Sequence, residues 1–433
     1  MPYKVAAIDI HKKVLMVVVA AVADEVLDAV EAAVADEVLD AVGAAVEFES
    51  RTFGTGAQER RHLVSWLKER QVHEVGMEST AQYWKPIWLD LEPHFAKLHL
   101  AQAQSNRAPK GRKNDFRDAK RLGRRFLAGE LMLSFVPEPE QRLWRLMTRG
   151  RLQLVRDRVR LQSQLEALLE EARIKLSSVV GDLLGSSGRR ILKALSEGET
   201  DPEKLAELGD DRLRCSKEKL VDALRGPAAA GHLELLKLHL ERLELLDAQI
   251  DQLSAKAAEA LKPHQDAVVR LAEVPGLGVQ SAQQLIAEIG VDAGTFSSAS
   301  EFASWVGVCP GDNISAEENH SSRSPKGNRY VRRALAEAAH AAVKSKRSHF
   351  EGVFRKFLPK LGYKGAIWVV AHRLARLIWK ILHDGIQYRE QGNELNPRAK
   401  QCRAQKLSQA LRKLGYAVTL TPINPEPAIG SAG

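Results

Sequence analysis

The chain is poor in cysteine: its 433 residues hold three, Cys215, Cys309 and Cys402, far apart and with no CxxC spacing. That excludes a disulfide framework and a cysteine-based zinc site, and it points to a reducing compartment. No run approaches the roughly 18 consecutive apolar residues that a membrane-spanning helix requires. The nearest candidate, VLMVVVAAVA, is too short and is followed by acids. The N-terminus lacks a signal-peptide layout. No glycine-rich phosphate loop follows the first apolar run, which argues against a sugar-kinase-like domain. The expectation is a cytoplasmic protein with no membrane partner.

What is present points toward a polyanion. Net charge is +9, with 27% charged residues beside 44% hydrophobic ones. Such a surplus favours nucleic acid as partner, and the apolar content suffices for real cores. A chain of this length exceeds one core, since single cores stop growing at roughly 250–300 residues, so two or three domains are expected.

Four carboxylates carry the most information. Asp9 lies inside the apolar run VAAIDIHKKVLMVVVA, and Glu78 ends VHEVGME, where capping the next helix is its alternative role. Asp115 and Asp118 sit in KNDFRDAKRL, where a helix starting near residue 114 puts both on one face. An acid in a buried strand is costly unless its charge is met. Converging carboxylates suit Mg²⁺, a hard cation that takes oxygen ligands and leaves room for phosphate oxygens. The two aspartates also lie among nine basic residues between Arg107 and Arg125, Arg112, Lys113, Arg117 and Lys120 included. Two acids embedded in such a phosphate-binding stretch are better explained as metal ligands than as a solvated helix face.

The chain's organisation follows its periodicities. Residues 1–135 alternate strand and helix signals, with strands around 5–20, 46–55, 72–78 and 97–102, and helices around 57–70 and 84–91. A tandem duplication, AVADEVLDAVEA then AVADEVLDAVGA, spans 21–44. It reads as an insertion at one edge of the domain. Residues 138–262 place Leu161, Leu165, Leu168 and Ala172, then Leu246, Ile250, Leu253, Ala257 and Ala260, at spacings of three and four. Such seams predict a helical hairpin acting as a coiled-coil arm. Residues 265–390 open on VPGLG, whose turn between helices resembles a helix-hairpin-helix able to face a phosphate. Residues 391–433 read as a helix and a disordered tail.

A second cluster lies in the third region. Eight Lys or Arg residues and one acid, Glu337, occupy 323–347, just after CPGDNISAEENHSSRS. Arg323, Lys326 and Arg329 can clamp a phosphate there, and Arg332 and Arg333 join them as nucleic-acid-binding candidates. Composition alone does not choose among Ser315, Ser321, Ser322 and Ser324 as a nucleophile, and taken by itself it favours a basic DNA-binding loop with incidental serines.

The segments AIDIHKK, VGMEST, KNDFRDAKRL, VPGLG, CPGDNISA and KGNRYVRRAL, in this order, resemble a family of insertion-sequence transposases. These pair an N-terminal DEDD domain of the Holliday-junction-resolvase type with a C-terminal serine-bearing transposase domain. The resemblance spans roughly residues 4–390, and the CPGDNIS form is similar to a subgroup that inserts at specific sites. It implies an RNase H-like first domain, a mostly helical third domain, and DNA recombination guided by a structured noncoding RNA. It also implies Mg²⁺ on Asp9, Glu78, Asp115 and Asp118, Ser315 as nucleophile, and homo-oligomers whose protomers share catalytic sites. The alternatives are a metal-dependent junction resolvase or nuclease without serine chemistry, and a non-catalytic nucleic-acid-binding remnant.

Overall fold

Residues 3–22 hold many β-branched side chains and fold as a hairpin. Strand β1 (Tyr3–Ile10) turns back through His11, whose N–H donates to the Val14 carbonyl at 3.0 Å, into β2 (Val14–Val22). This is a computed structural model, and it describes residues 2–22, 46–78, 81–103, 115–210, 212–311, 313–315, 318–321, 324–390, 392 and 397–420. The duplicated segment lies outside the described residues, apart from the two that complete β2. The chain divides into two units, Met1–Pro137 and Glu138–Gly433.

In the first unit, β3 (Glu47–Gly54) pairs antiparallel with β2 and leads to helix α1 (Ala57–Glu69). Strand β4 (Glu74–Glu78), helix α2 (Trp84–Leu91), strand β5 (Lys97–Ala101), helix α3 (Asp115–Leu127) and the short β6 (Leu133–Ser134) follow. The sheet order is β3-β2-β1-β4-β5-β6, with β1, β4 and β5 parallel and the outer pairings antiparallel. It is therefore a mixed sheet of six strands.

The two faces of the sheet are built from different residues. Ile8, Ile10, Leu15, Val17, Leu63, Leu67, Val75 and Met77 form a large apolar core on the side of α1 and α2. The opposite face is lined by small residues, and α3 lies close against it. A Cβ built on Gly123 of α3 would stand 3.5 Å from Ala7 Cβ and 3.9 Å from Ala20 Cβ. One on Gly76 of β4 would stand 3.0 Å from the Phe126 ring. Because side chains alternate along a strand, Asp9 shares the face of Ala7, and Glu78 that of Gly76.

The second unit is helical. Helix α4 (Pro139–Glu171) and helix α9 (Ala230–Ala260) pack as a hairpin. Between them lie α5 (Leu176–Val179), α6 (Ser186–Ser196), α7 (Pro202–Glu207) and α8 (Lys217–Leu224), which close a leucine core over the hairpin's tip. The expected seam holds on α4, where Leu161, Leu165, Leu168 and Ala172 are buried. On α9 the buried positions are Leu236, Leu243, Leu246 and Ala257, whereas Ile250, Leu253 and Ala260 are only half-buried. Part of the reason is Gly150 of α4, which faces Leu253 with no side chain to cover it.

After a 3-10 turn come α10 (Gln265–Ala272), α11 (Val279–Ile289), α12 (Ala299–Val306), the hairpin β7 (Asn313–Ser315) and β8 (Glu318–Ser321), α13 (Arg329–Ala342) and α14 (His349–His383). Helix α14 is broken at Gly362, and α15 (Pro397–Lys413) ends the ordered elements. Leu271, Leu285, Ile286, Phe302, Leu335 and Leu374 belong to one shared core. Two close approaches shape this region. At Gly276 the chain has φ +87°, and a Cβ there would overlap the Ala338 carbonyl of α13, so the PGLG turn is seated on that helix. Gly307 (φ +78°) and Gly327 pack backbone to backbone, which joins the two ends of the segment bearing β7 and β8.

Candidate active site

Strand register brings the first two carboxylates together. Ile8 pairs with Met77 across the parallel β1 and β4, so Asp9 and Glu78 follow side by side at the strands' C-terminal ends. Such ends are where open α/β sheets bind ligands. Glu78 is followed by a segment outside the described residues and by α2, which starts only at Trp84, so it does not cap that helix. Helix α3 supplies the third acid. Its buried residues Ala119 and Leu122 face the sheet, and Asp118 stands one turn before Leu122. Asp115 is the first residue of α3, and its side chain lies outside the described residues.

The electrostatics record the convergence. Burial pushes the Glu78 carboxyl above the ordinary carboxylate range, and the charges of Asp9 and Asp118 push it further, against the pull of Arg121 and His11. Asp9 is buried, and His11 Nε2 lies 3.2 Å from its Oδ2. His11 and Arg121 thus border the site. Reading the sequence for acids alone passed over both, although His11 is only two residues beyond Asp9.

These residues suit a divalent hard cation. The donors are carboxylate oxygens, and their mutual repulsion on Glu78 is the charge imbalance that such an ion relieves. Among the described residues no group of three or more His, Cys, Asp or Glu closes into a metal-holding cluster. Asp9, Glu78 and Asp118 interact at electrostatic range, short of a coordination shell.

The C-terminal candidates fare differently from one another. Ser315 ends β7 and pairs with Glu318 of β8; its side chain, like those of Arg323, Arg112 and Lys113, lies outside the described residues. Lys326 and Arg329 are exposed, and Arg329 donates to the Tyr330 hydroxyl at 2.9 Å. Arg332 is engaged within the fold: it donates to the Pro325 carbonyl at 2.7 Å and to Ser324 Oγ at 2.8 Å, and stacks on Trp368 at 4.7 Å. Arg333 pairs with Glu337 at 2.6 Å. In the first unit Arg117 is exposed, and Lys120 lies 5.5 Å from the Phe48 ring centre. Ser315 and the acids belong to different units of the chain.

Among the described residues no helix is long and apolar enough to cross a membrane. Residues 27–174 match the family described as Transposase, the DEDD transposases of IS110 elements, and residues 268–354 match the Transposase IS116/IS110/IS902 family. Over 338 residues the chain is 23% identical to the Sinorhizobium fredii protein "Putative transposase y4pF/y4sB", covering 76% of this chain and 78% of that protein. With both domains in this order on one chain, the protein is a DNA transposase of the IS110 family.

Proposed function

We propose that the protein is a site-specific DNA recombinase that cleaves and rejoins strands with Mg²⁺ and a serine nucleophile, guided by a structured noncoding RNA. The observation that carries the metal half is the adjacency of Asp9 and Glu78 at the ends of two parallel strands, with Asp118 close enough to raise the Glu78 carboxyl. In this reading the first unit is an RNase H-like domain. Asp9, Glu78, Asp115 and Asp118 would hold Mg²⁺, which when bound supplies Lewis-acid polarisation of a scissile phosphate.

The protein's own groups do the rest. Ser315 Oγ attacks phosphorus, forming a phosphoserine bond as the bond to the leaving deoxyribose oxygen breaks. The serine proton passes to a nearby base, and the leaving oxygen takes up a proton. Attack by a second strand's hydroxyl reverses these changes and releases the serine, so the bond energy is kept for rejoining without ATP. Lys326 and Arg329, both exposed beside the hairpin, hold the phosphate backbone; Arg117 and Lys120 do so beside the acids. The guide RNA and the sharing of sites between protomers of a homo-oligomer are carried by the family resemblance.

The test is Ser315→Ala in the full chain, assayed with element-end DNA and RNA from the element's flank. Loss of the covalent protein–DNA adduct and of strand exchange supports the reading; retained exchange refutes it. A second reading is a metal-dependent nuclease that uses water. It is favoured by one fact: the acids all lie in Met1–Pro137, apart from Ser315. That enzyme would keep cleaving after Ser315→Ala.

A further inference from the structure

One buried carboxylate ties together three elements of the C-terminal unit. Glu288, the next-to-last residue of α11, has a side chain with no solvent exposure. Removing a carboxylate from water costs several kcal/mol unless its charge and lone pairs are met. Arg149 of α4 meets it with a two-pronged pair, Nε to Oε1 at 2.7 Å and Nη2 to Oε2 at 2.8 Å. Arg145, one turn earlier, lies 3.8 Å from Oε2 and donates to the Ala287 and Glu288 carbonyls at 3.0 and 2.5 Å.

The third partner leads toward the hairpin. Asn328 Nδ2 donates to Glu288 Oε2 at 3.0 Å. At its other end, Asn328 Oδ1 accepts from the Tyr330 and Val331 backbone N–H groups at 2.9 and 3.1 Å, capping α13. Arg149 also stacks over the Tyr330 ring at 4.3 Å. Gly327, immediately before Asn328, is the residue wedged against Val306 and Gly307. Glu288 therefore fixes the Lys326–Gly327–Asn328 turn that closes the segment bearing Ser315, and fixes it to helix α4.

Packing alone does not require such a cluster, because apolar residues of similar volume are often at least as stabilising as a buried ion pair. What the cluster adds is direction: a planar guanidinium fork and an amide each accept one orientation of the carboxylate. We propose that Glu288, Arg149 and Asn328 form a positioning cluster for strand cleavage. It holds the turn, and with it the hairpin and the cations Lys326 and Arg329, at a set angle to the helical arm. This rests on the reading that the hairpin segment carries the nucleophile.

The test uses the full-length protein with Mg²⁺, duplex DNA of the element end and flank-derived RNA, well below the melting temperature of every variant. Glu288→Gln removes the charge facing Arg149, and Asn328→Asp keeps the cap but sets two carboxylates together. Each is expected to slow strand cleavage at saturating DNA by about tenfold or more, as misplaced reacting groups do, with half-saturating DNA changed by no more than about twofold. In the double variant the amide and carboxylate exchange places, so the rate should recover above that of Asn328→Asp alone. Arg149→Lys, which keeps the charge without the fork, gives the same split if a Glu288 variant fails to fold. Folded single variants that cleave at the native rate would overturn the proposal, as would losses that follow the folded fraction and are not relieved by the exchange. Cleavage that survives Ser315→Ala would sink the serine reading separately, because the rate split at Glu288 is measured on cleavage whatever the nucleophile.

Discussion

Asp9 and Glu78 stand side by side because β1 and β4 run parallel with Ile8 opposite Met77. No cation among the described residues forms a close pair with Glu78, and its carboxyl is raised by burial, by Asp9 and by Asp118. The raised carboxyl means that the folded chain holds this proton more tightly than the unfolded one. Its ionisation therefore costs the fold nothing at acid pH, below the ordinary carboxylate range. The cost grows as pH rises through the raised value. In metal-free buffer at neutral pH, Glu78→Gln should melt higher than the wild type, and the gap should close as pH falls below the ordinary carboxylate range. Calorimetry across pH checks the sign.

Divalent cation should act on the same imbalance. Mg²⁺ at about 100 times its dissociation constant should stabilise the native protein by about 2.7 kcal/mol. Asp9→Asn and Glu78→Gln should lose most of that gain. A melting temperature that responds equally to Mg²⁺ in wild type and variants would place the ion elsewhere.

The closeness of α3 to the sheet sets where Asp118 lies. Gly76→Val would drive a branched side chain into the Phe126 ring, which a single Cβ already approaches at 3.0 Å. Overpacking of this kind costs about 1–3 kcal/mol and lifts the helix. Metal-dependent cleavage should fall more than stability does, and Phe126→Leu in the same chain should restore part of it.

Among the cations of the third region Arg332 is engaged with the fold, whereas Lys326 is exposed and is proposed to meet DNA. Lys326→Ala should weaken DNA binding across sequences and reduce the salt slope by about one, leaving the melting temperature unchanged. Arg332→Ala should instead lower the melting temperature, because it empties the Pro325 and Ser324 contacts and the Trp368 stack. Salt-dependent binding isotherms beside melting curves separate the two.

The PGLG turn makes the sharpest stability test. Gly276→Ala combines a positive φ with overlap on the α13 backbone, so neither strain nor clash can relax alone. It should cost more than the ~1 kcal/mol typical of a point mutant.

What the sequence disclosed is uneven, for physical reasons. Asp9 was legible because an acid within VAAIDI has few structural excuses, and the strands and helices of the first unit, the short β6 apart, followed from period and turn residues. Which face Asp9 takes was not legible, because the strand from Val5 to Ile10 is buried on both faces and shows no alternation. The small residues Ala7, Ala20, Gly76 and Gly123 decide it, and they come from four separate segments. The two-sided fate of the basic block was equally hidden, since Trp368 reaches Arg332 only in three dimensions. Glu288 reads in IAEIGVD as an ordinary helix acid, and only its partners from α4 and the α13 cap show that it is interior.

The central claim, that the acids and Ser315 serve one strand-exchange reaction, is tested most directly by mapping the residue joined to DNA in a trapped adduct. The account predicts a phosphodiester on Ser315 that forms with Mg²⁺ and fails to form with chelator or in Asp9→Asn. An adduct on another residue, or one formed equally well by Asp9→Asn, would contradict it.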